Sequence, residues 1–382
     1  MDKKDVYIWY SPATDITGRK LQETLGIKGG KTSPPASAKL VIGWGTKIKE
    51  TVTFTKGTEV LNHPNNIRTN RNKYDALGKM AAALNVDGAQ HIATYVPATE
   101  VKAAIAKGII AMPLIGRRKF HQGGKGFWEC PTIAQLDAAI AEENGPQYFQ
   151  TMIPVTQEYR LHVFNDVVIH AVKKVPRTNE EYKASFVEDQ LAYHRDISEK
   201  NKRPFDEAAI RPILERQAEN ACKGGANMVL RSNRLGWKFS IVKKFDKKLE
   251  TVAVAAVKAL GLSFGAVDCC IDNNNNVWIF EVNSGPGLEA TSFDTYIAAF
   301  NAVIDSYNKP KAAPTPAPDA KAVGQPVAAP IKTSEAIDTA RKQLLQEQLM
   351  RLHEMVGNAA PGEVDNVAQI GQRLIFGETS RK

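Results

Sequence analysis

The sequence predicts a mixed α/β (α+β) protein built from more than one domain, and three observations predict it. Short β-type apolar runs alternate with amphipathic helical patterns from Val6 to Tyr307. Two pairs of runs face each other across turn-forming residues, Asn165-Asp166 and Asn273 to Asn276, as the hairpins of an antiparallel sheet do. After Asn308 the chain turns Pro/Ala-rich, which marks the end of a folded body and the start of a linker. The 382 residues, 43% of them hydrophobic, are enough for two or three cores.

Composition narrows the function classes. A formal charge of +9 calls for an anionic ligand or partner. Nucleotide phosphates satisfy that, and nucleic acid stays open on charge alone. No apolar run approaches the roughly 18–20 residues of a membrane span, and Met1 to Asp5 begins no signal-peptide stretch. The four cysteines show no Cys-x-x-Cys spacing, which argues against a structural zinc site. A cytoplasmic protein with reduced thiols is expected.

In chain order, Val6 to Trp9 and Leu40 to Ile42 read as buried strands of a small α/β domain over residues 1–66. Gly43-Trp44-Gly45 is too short for a dinucleotide fingerprint. Asn72 is placed to cap a helix from Tyr74 to Leu84. Lys73 then sits in the first turn, where a cation gains nothing from the helix dipole. It is either a solvated lysine or a phosphate contact. Gly108 to Leu114 reads as a strand, followed by the basic, Gly-rich stretch from Gly116 to Trp128. Glycines there let backbone N–H groups approach an anion, and Arg117, Arg118 and Lys125 supply charge. The stretch reads as a phosphate lid; the plainer reading is an exposed basic turn. His121 alone carries little weight.

Thr132 to Glu142 is an amphipathic helix, and Gln147 to Pro154 a strand ending in a linker whose backbone suits an adenine edge. In the hairpin over Asn165-Asp166, Glu158, Arg160 and His162 share one face, either a wet face or a ligand face. Lys173 and Lys174 extend its second strand. Residues 176–205 read as a long polar loop, Asp206 to Cys222 as a helix, Met228 to Arg231 as a strand, Leu249 to Leu260 as a helix stopped by Gly261, and Phe293 to Tyr307 as a last helix.

The hairpin from Gly265 to Asn283 carries the strongest signal. With a loop of Asn273 to Asn276, Asp272 faces Val277 and Asp268 faces Glu281. Alternation puts Glu281 and Asn283 on one side, with Phe280 and Val282 on the other. Two adjacent carboxylates on an apolar ribbon require a cation. A salt-bridged core hairpin is one solution. Mg²⁺, which takes hard oxygen ligands and keeps positions for phosphates, is the other.

These residues resemble the ATP-grasp superfamily, within it the carboxylate–amine ligases, including members encoded by bacteriophages. The resemblance covers residues 65 to 308, strongest over Gly265-Ala266-Val267-Asp268 and Glu281-Val282-Asn283-Ser284-Gly285-Pro286-Gly287. It implies two α+β lobes, 67–146 with the lid and 147–308 with the metal site, gripping ATP. Asp268, Glu281 and Asn283 would hold Mg²⁺. Lys73, Arg118, His121, Gly123, Gly124 and Gly126 would meet phosphates. Gln150, Thr151, Met152 and Ile153 would form the adenine hinge, and Glu158 the ribose contact. Lys173 joins this nucleotide set. Arg160, with Lys125 and Arg117, would face the reacting phosphoryl and acyl groups. One position departs from the pattern: Met112-Pro113 stands where many members carry a phosphate lysine, and Arg117, Arg118 or Lys125 would replace it.

The implied reaction is ATP-dependent formation of an amide or peptide bond through an acylphosphate. A kinase and a non-catalytic assembly protein on the same fold are the alternatives. The implied partners are a carboxylate and an amine substrate, each a peptide, protein tail or amino acid, in the cytoplasm (of the host, for a phage protein). A homodimer is open. Residues 309–333 form the linker, and 334–382 a helical tail whose apolar stripe, Ile337, Leu344, Leu345, Leu352 and Val356, fits a protein partner.

Overall fold

The computed structural model of the protein describes residues 2–307 except 49, 87, 122–125 and 230. The expected linker and helical tail, and the lid residues Gly123, Gly124 and Lys125, lie outside them. No helix among the described residues is long and apolar enough to cross a membrane.

The chain begins with a parallel sheet. β1 (Val6–Tyr10), α1 (Asp15–Leu25), β2 (Lys28–Gly30), β3 (Leu40–Trp44) and β4 (Glu59–Leu61) give the strand order β2-β1-β3-β4. Every residue of β1 and β3 is buried, as continuous apolar strands require. α1 stops at Gly26 in the left-handed region, φ 66°.

Next come α2 (Pro64–Arg71), α3 (Lys73–Leu84), β5 (Tyr95–Pro97), α4 (Val101–Ala106), β6 (Leu114–Arg117), β7 (Phe127–Cys130), α5 (Ile133–Ala141) and β8 (Tyr148–Thr151). The strands form an antiparallel sheet in the order β5-β8-β6-β7. Its core joins Val101, Leu114, Leu136 and Phe149. α2 spans the expected boundary at 66/67, and β8, just past the expected boundary at 146/147, belongs to this smaller sheet. The expected strand at Gly108 to Leu114 moves: pairing starts at Leu114 and runs to Arg117.

The larger lobe holds β9 (Val155–Phe164), β10 (Val167–Pro176), α6 (Asn179–Lys200), α7 (Glu207–Ala221), β11 (Trp237–Ile241), α8 (Lys247–Ala259), β12 (Phe264–Asp272), β13 (Val277–Asn283) and α9 (Ala290–Ser306). Its sheet runs β11-β10-β9-β12-β13, antiparallel throughout. Leu77 and Met80 of α3 and Val252 and Ala256 of α8 pack on one face, against Leu161, Val267 and Val282. Residues 176–205 are thus not a loop. Thr178 and Glu181 form a capping box, and Val187 and Leu191 of α6 pack on Leu214 and Ala218 of α7. Of the strand expected from Met228 to Arg231, the described residues Met228, Val229 and Arg231 are not in a strand.

Two devices fix the parallel sheet to the larger lobe. Asn62 is fully buried at φ 57° and bonds both ways with the start of β12: its Oδ1 accepts from Ser263 and Phe264 N–H at 2.8 and 3.1 Å, and its Nδ2 donates to the Phe264 carbonyl at 2.9 Å. Beside it, Trp44, Phe164, Phe264, Tyr296 and Phe300 share an aromatic core.

Candidate active site

The β12–β13 pair carries an irregularity that decides the geometry. Ile271 faces Val277, one residue earlier than expected, and Cys269 faces Ile279; the register then shifts, and Asp268 faces Glu281. Phe280 is the extra residue of a bulge, which restores the carboxylate pairing. Phe280 therefore packs with Trp278 and Ile153, not alongside Val282 as simple alternation predicts. Asp272 does not join the carboxylates. Its Oδ1 accepts from the Asn274 and Asn276 N–H groups at 2.8 and 2.9 Å and its Oδ2 from Trp278 Nε1 at 2.9 Å, holding the turn.

The Asn283 amide binds the two facing carboxylates together, donating to Glu281 Oε1 at 3.1 Å and Asp268 Oδ2 at 3.3 Å. Each carboxylate also meets a cation. Lys73 Nζ lies 3.3 Å from Glu281 Oε2, and Arg160 grips Asp268 with Nε and Nη2 at 2.7 and 2.8 Å. Burial pushes the Glu281 pKa up, but Lys73, Arg117, the Asn283 amide and His121 outweigh it, and Glu281 stays ionised well below the usual carboxylate range. The salt-bridged solution to the buried pair is thus realised by Lys73 and Arg160. The donor set of two carboxylates and one amide fits Mg²⁺. Among the described residues no group of three or more His, Cys, Asp or Glu is placed to hold a metal, so the set rests on two carboxylates and one amide.

The walls bring further cations. Asn72 caps α3 through the Asp75 N–H, and the Lys73 N–H donates to the Lys119 carbonyl at 2.7 Å, tying the helix start to the base of the lid. Arg117 ends β6 and borders the cleft, with its guanidinium 5.6 Å from the Phe127 ring. Arg118 also borders it, but donates to the Asn144 carbonyl and lies 5.8 Å from the Trp128 ring. Met112 packs on the small-lobe core instead of facing the cleft. The strand leading to the lid ends at Arg117, five residues past Met112. Arg117→Met is expected to raise the KM for ATP by about ten- to a hundredfold. Met112→Lys is expected to lower Tm without improving that KM.

His121 borders the cleft with its Nε2 buried and unpartnered. Burial and the Arg117 charge lower its pKa to about 4. The ring is neutral at pH 7 and can offer a hydrogen bond but no charge. Its NMR titration should have a midpoint near 4; a midpoint near 6.5 would contradict this environment.

The opposite end suits a base and a sugar. Gln150, Met152 and Ile153 line the cleft, while Thr151 does not. The Thr151 and Met152 N–H groups are committed to the carbonyls of Thr94 and Pro113 at 2.9 and 3.0 Å. Glu158 is 6% exposed and paired with Lys174; burial raises its pKa despite that lysine. Lys174, and not the expected Lys173, borders the cleft, because strand alternation turns Lys173 away. Sequence reasoning assigned no role to Arg231, which donates to the Val155 carbonyl at 2.9 Å and stacks 4.8 Å from Trp237, or to Phe239, 4.9 Å from the Arg160 guanidinium. Phe239 lies in a short aromatic-basic run, Trp237-Lys238-Phe239, that could have drawn notice; Arg231 has no such local mark. His162 sinks below the site, 3% exposed against His170 and Tyr296, its pKa lowered by burial and then by Arg160 to about 3. The whole cleft measures about 1310 Å³. Small-ligand pockets span roughly 300–1,000 Å³, so there is room for a nucleotide and a second substrate.

Residues 220–307 match the family model of the RimK-like ATP-grasp domain. Among solved structures, the ATP-grasp ligase PsnB complexed with a phosphomimetic variant of its minimal precursor, Mg and ADP is similar at TM-score 0.50 and 11% identity, over 80% of this chain and 99% of that one. PsnB with its minimal precursor gives 0.48 at 14% identity, over 79% and 99%. A RimK domain ATP-grasp protein from Sphaerobacter thermophilus gives 0.46 at 11%, over 77% and 98%. No curated protein matches the sequence significantly. The chain has the ATP-grasp fold.

Proposed function

We propose, for a chain that has the ATP-grasp fold, that it is an ATP- and Mg²⁺-dependent carboxylate–amine ligase. The observation that carries this reading is the facing pair Asp268 and Glu281, bridged by Asn283, at the floor of a cleft walled by Lys73, Arg117 and Arg160. Asp268, Glu281 and Asn283 would hold the metal, which supplies charge neutralisation and a template for phosphate oxygens. A substrate carboxylate oxygen attacks the γ-phosphorus of ATP, the bond to the β-phosphate oxygen breaks, and ADP leaves. An amine nitrogen then attacks the acyl carbon, phosphate departs, and the nitrogen loses a proton. The chain's part is positioning and charge. Lys73 and Arg117 would neutralise the transferring phosphoryl group, and Arg160 is the candidate for the acylphosphate oxygens. Gln150, Met152 and Ile153 would seat adenine, and Glu158 ribose. PsnB was solved with a precursor, which favours a peptide as the carboxylate donor here.

The test is product accounting with purified protein, Mg-ATP, and pooled peptides and amines. A ligase releases ADP and free phosphate one for one with amide formed. Phosphate retained on the product would make the protein a kinase, and neither product would leave the fold without this chemistry.

A further inference from the structure

Arg117 is the cleft cation whose own support is least explained. It ends β6 and borders the cleft, yet its Nε is shut off from solvent and has no hydrogen-bond partner. A guanidinium is a rigid fork, so an unheld Nε leaves the fork's direction to whatever packs against it. One such neighbour is the Phe127 ring, 5.6 Å away. The other is Tyr148. It faces Arg117 across β8 and β6, and residues directly opposite in an antiparallel pair share a sheet face with Cβ atoms about 5 Å apart. Tyr148 is fully buried, and its ring packs edge-on against Tyr74 with 5.6 Å between centroids. Tyr74 follows Lys73 at the start of α3. Tyr148 thus links the helix start that carries Lys73 to the strand end that carries Arg117.

A phenol inside a packed core ordinarily finds a partner for its hydroxyl. Tyr148 Oη has none and is closed to solvent. Burial pushes the phenol's pKa up to about 12, and the Arg117 guanidinium lies close enough to oppose that through its charge and its N–H groups. A phenol oxygen that lacks a donor and an Nε–H that lacks an acceptor are therefore neighbours on one sheet face, and each is what the other needs. Packing alone would be served as well by phenylalanine at this position.

We propose that Tyr148 is a positioning residue for phosphoryl transfer: its hydroxyl oxygen accepts from Arg117 Nε when the guanidinium engages the transferring phosphoryl group, and so aims the two Nη atoms at it. This rests on the ATP reading of the cleft and adds to it the residue that orients Arg117. Tyr148 touches no substrate and acts through Arg117 alone.

The test is a double-mutant cycle on the full chain, with Tyr148→Phe and Arg117→Met made singly and together, read as calorimetric affinity for Mg-ATP and Mg-ADP. Tyr148→Phe should weaken ATP binding about three- to tenfold, the net worth of one internal hydrogen bond. ADP lacks the phosphoryl group assigned to Arg117, so its affinity should stay within about twofold. In the Arg117→Met background the same substitution should change nothing further. Tm should hold, since the hydroxyl makes no bond in the core that phenylalanine would lose. Tyr95→Phe, which takes a hydroxyl from the far side of Tyr74, should keep wild-type affinity. Full ATP affinity in Tyr148→Phe, an equal loss for ADP, or a loss that persists without Arg117 would each overturn the inference and leave the ATP reading standing. Absence of ATP binding by the wild type would contradict the ATP reading, and this inference with it.

Discussion

Replacing Glu281 by Gln should reduce ATP turnover by about a thousandfold or more and leave the fold intact. The substitution keeps size and shape and removes one charge. That charge faces Asp268 across the strands, accepts from Asn283, and lies 3.3 Å from Lys73. Removing it takes a ligand from the candidate metal set and leaves Lys73 and Arg117 less compensated. ATP binding should persist, because the phosphate cations stay, but its dependence on Mg²⁺ should shrink. Steady-state ADP release and circular dichroism on the two proteins check this together. Turnover within tenfold of wild type would remove Glu281 from the reaction.

Arg160→Met should lower kcat by about a hundred- to a thousandfold with a smaller change in the KM for ATP. Arg160 stands opposite Asp268 on neighbouring strands and holds it through two parallel bonds, with Phe239 beneath its plane. Burial acts to lower the Arg160 pKa, but Asp268 and then Glu281 outweigh it, so the guanidinium remains charged at any working pH. Arg160→Lys keeps the charge and loses the fork, and should recover only part of the rate. A kcat within twofold of wild type in Arg160→Met would reduce Arg160 to a structural partner of Asp268.

The acidic hairpin was legible because strand alternation and an Asn-rich turn are local signals. Its register was legible only by the cancelling of two offsets: the turn starts one residue earlier than the asparagines imply, and the bulge at Phe280 returns the residue. A bulge leaves no mark in alternation until the neighbouring strand is known. Arg117 is one of three candidate cations that the sequence does not tell apart, because its pattern ends the strand at Leu114. The smaller sheet instead recruits Leu114 to Arg117 through pairing with β7 and β8, which are distant in sequence. α6 was missed for a different reason. Its charged surface masked a stripe of Tyr182, Val187 and Leu191, all buried, although the capping box at Thr178 and Glu181 was present in the sequence. Lys174 replaced Lys173 through a single step of strand alternation. The contacts of Arg71 with Thr46, just past β3, and of Asn70 with Val282 in β13 are tertiary facts that no local pattern in the sequence encodes.

The most direct test of the central claim is calorimetric titration of ATP into the protein with and without Mg²⁺, for wild type and Glu281→Gln. The account predicts one site per chain, wild-type affinity at least about tenfold higher with Mg²⁺, and a gap in the variant narrowed to about twofold. Absence of ATP binding, or wild-type affinity indifferent to Mg²⁺, would contradict the assignment of Asp268, Glu281 and Asn283 as the metal edge of an ATP site.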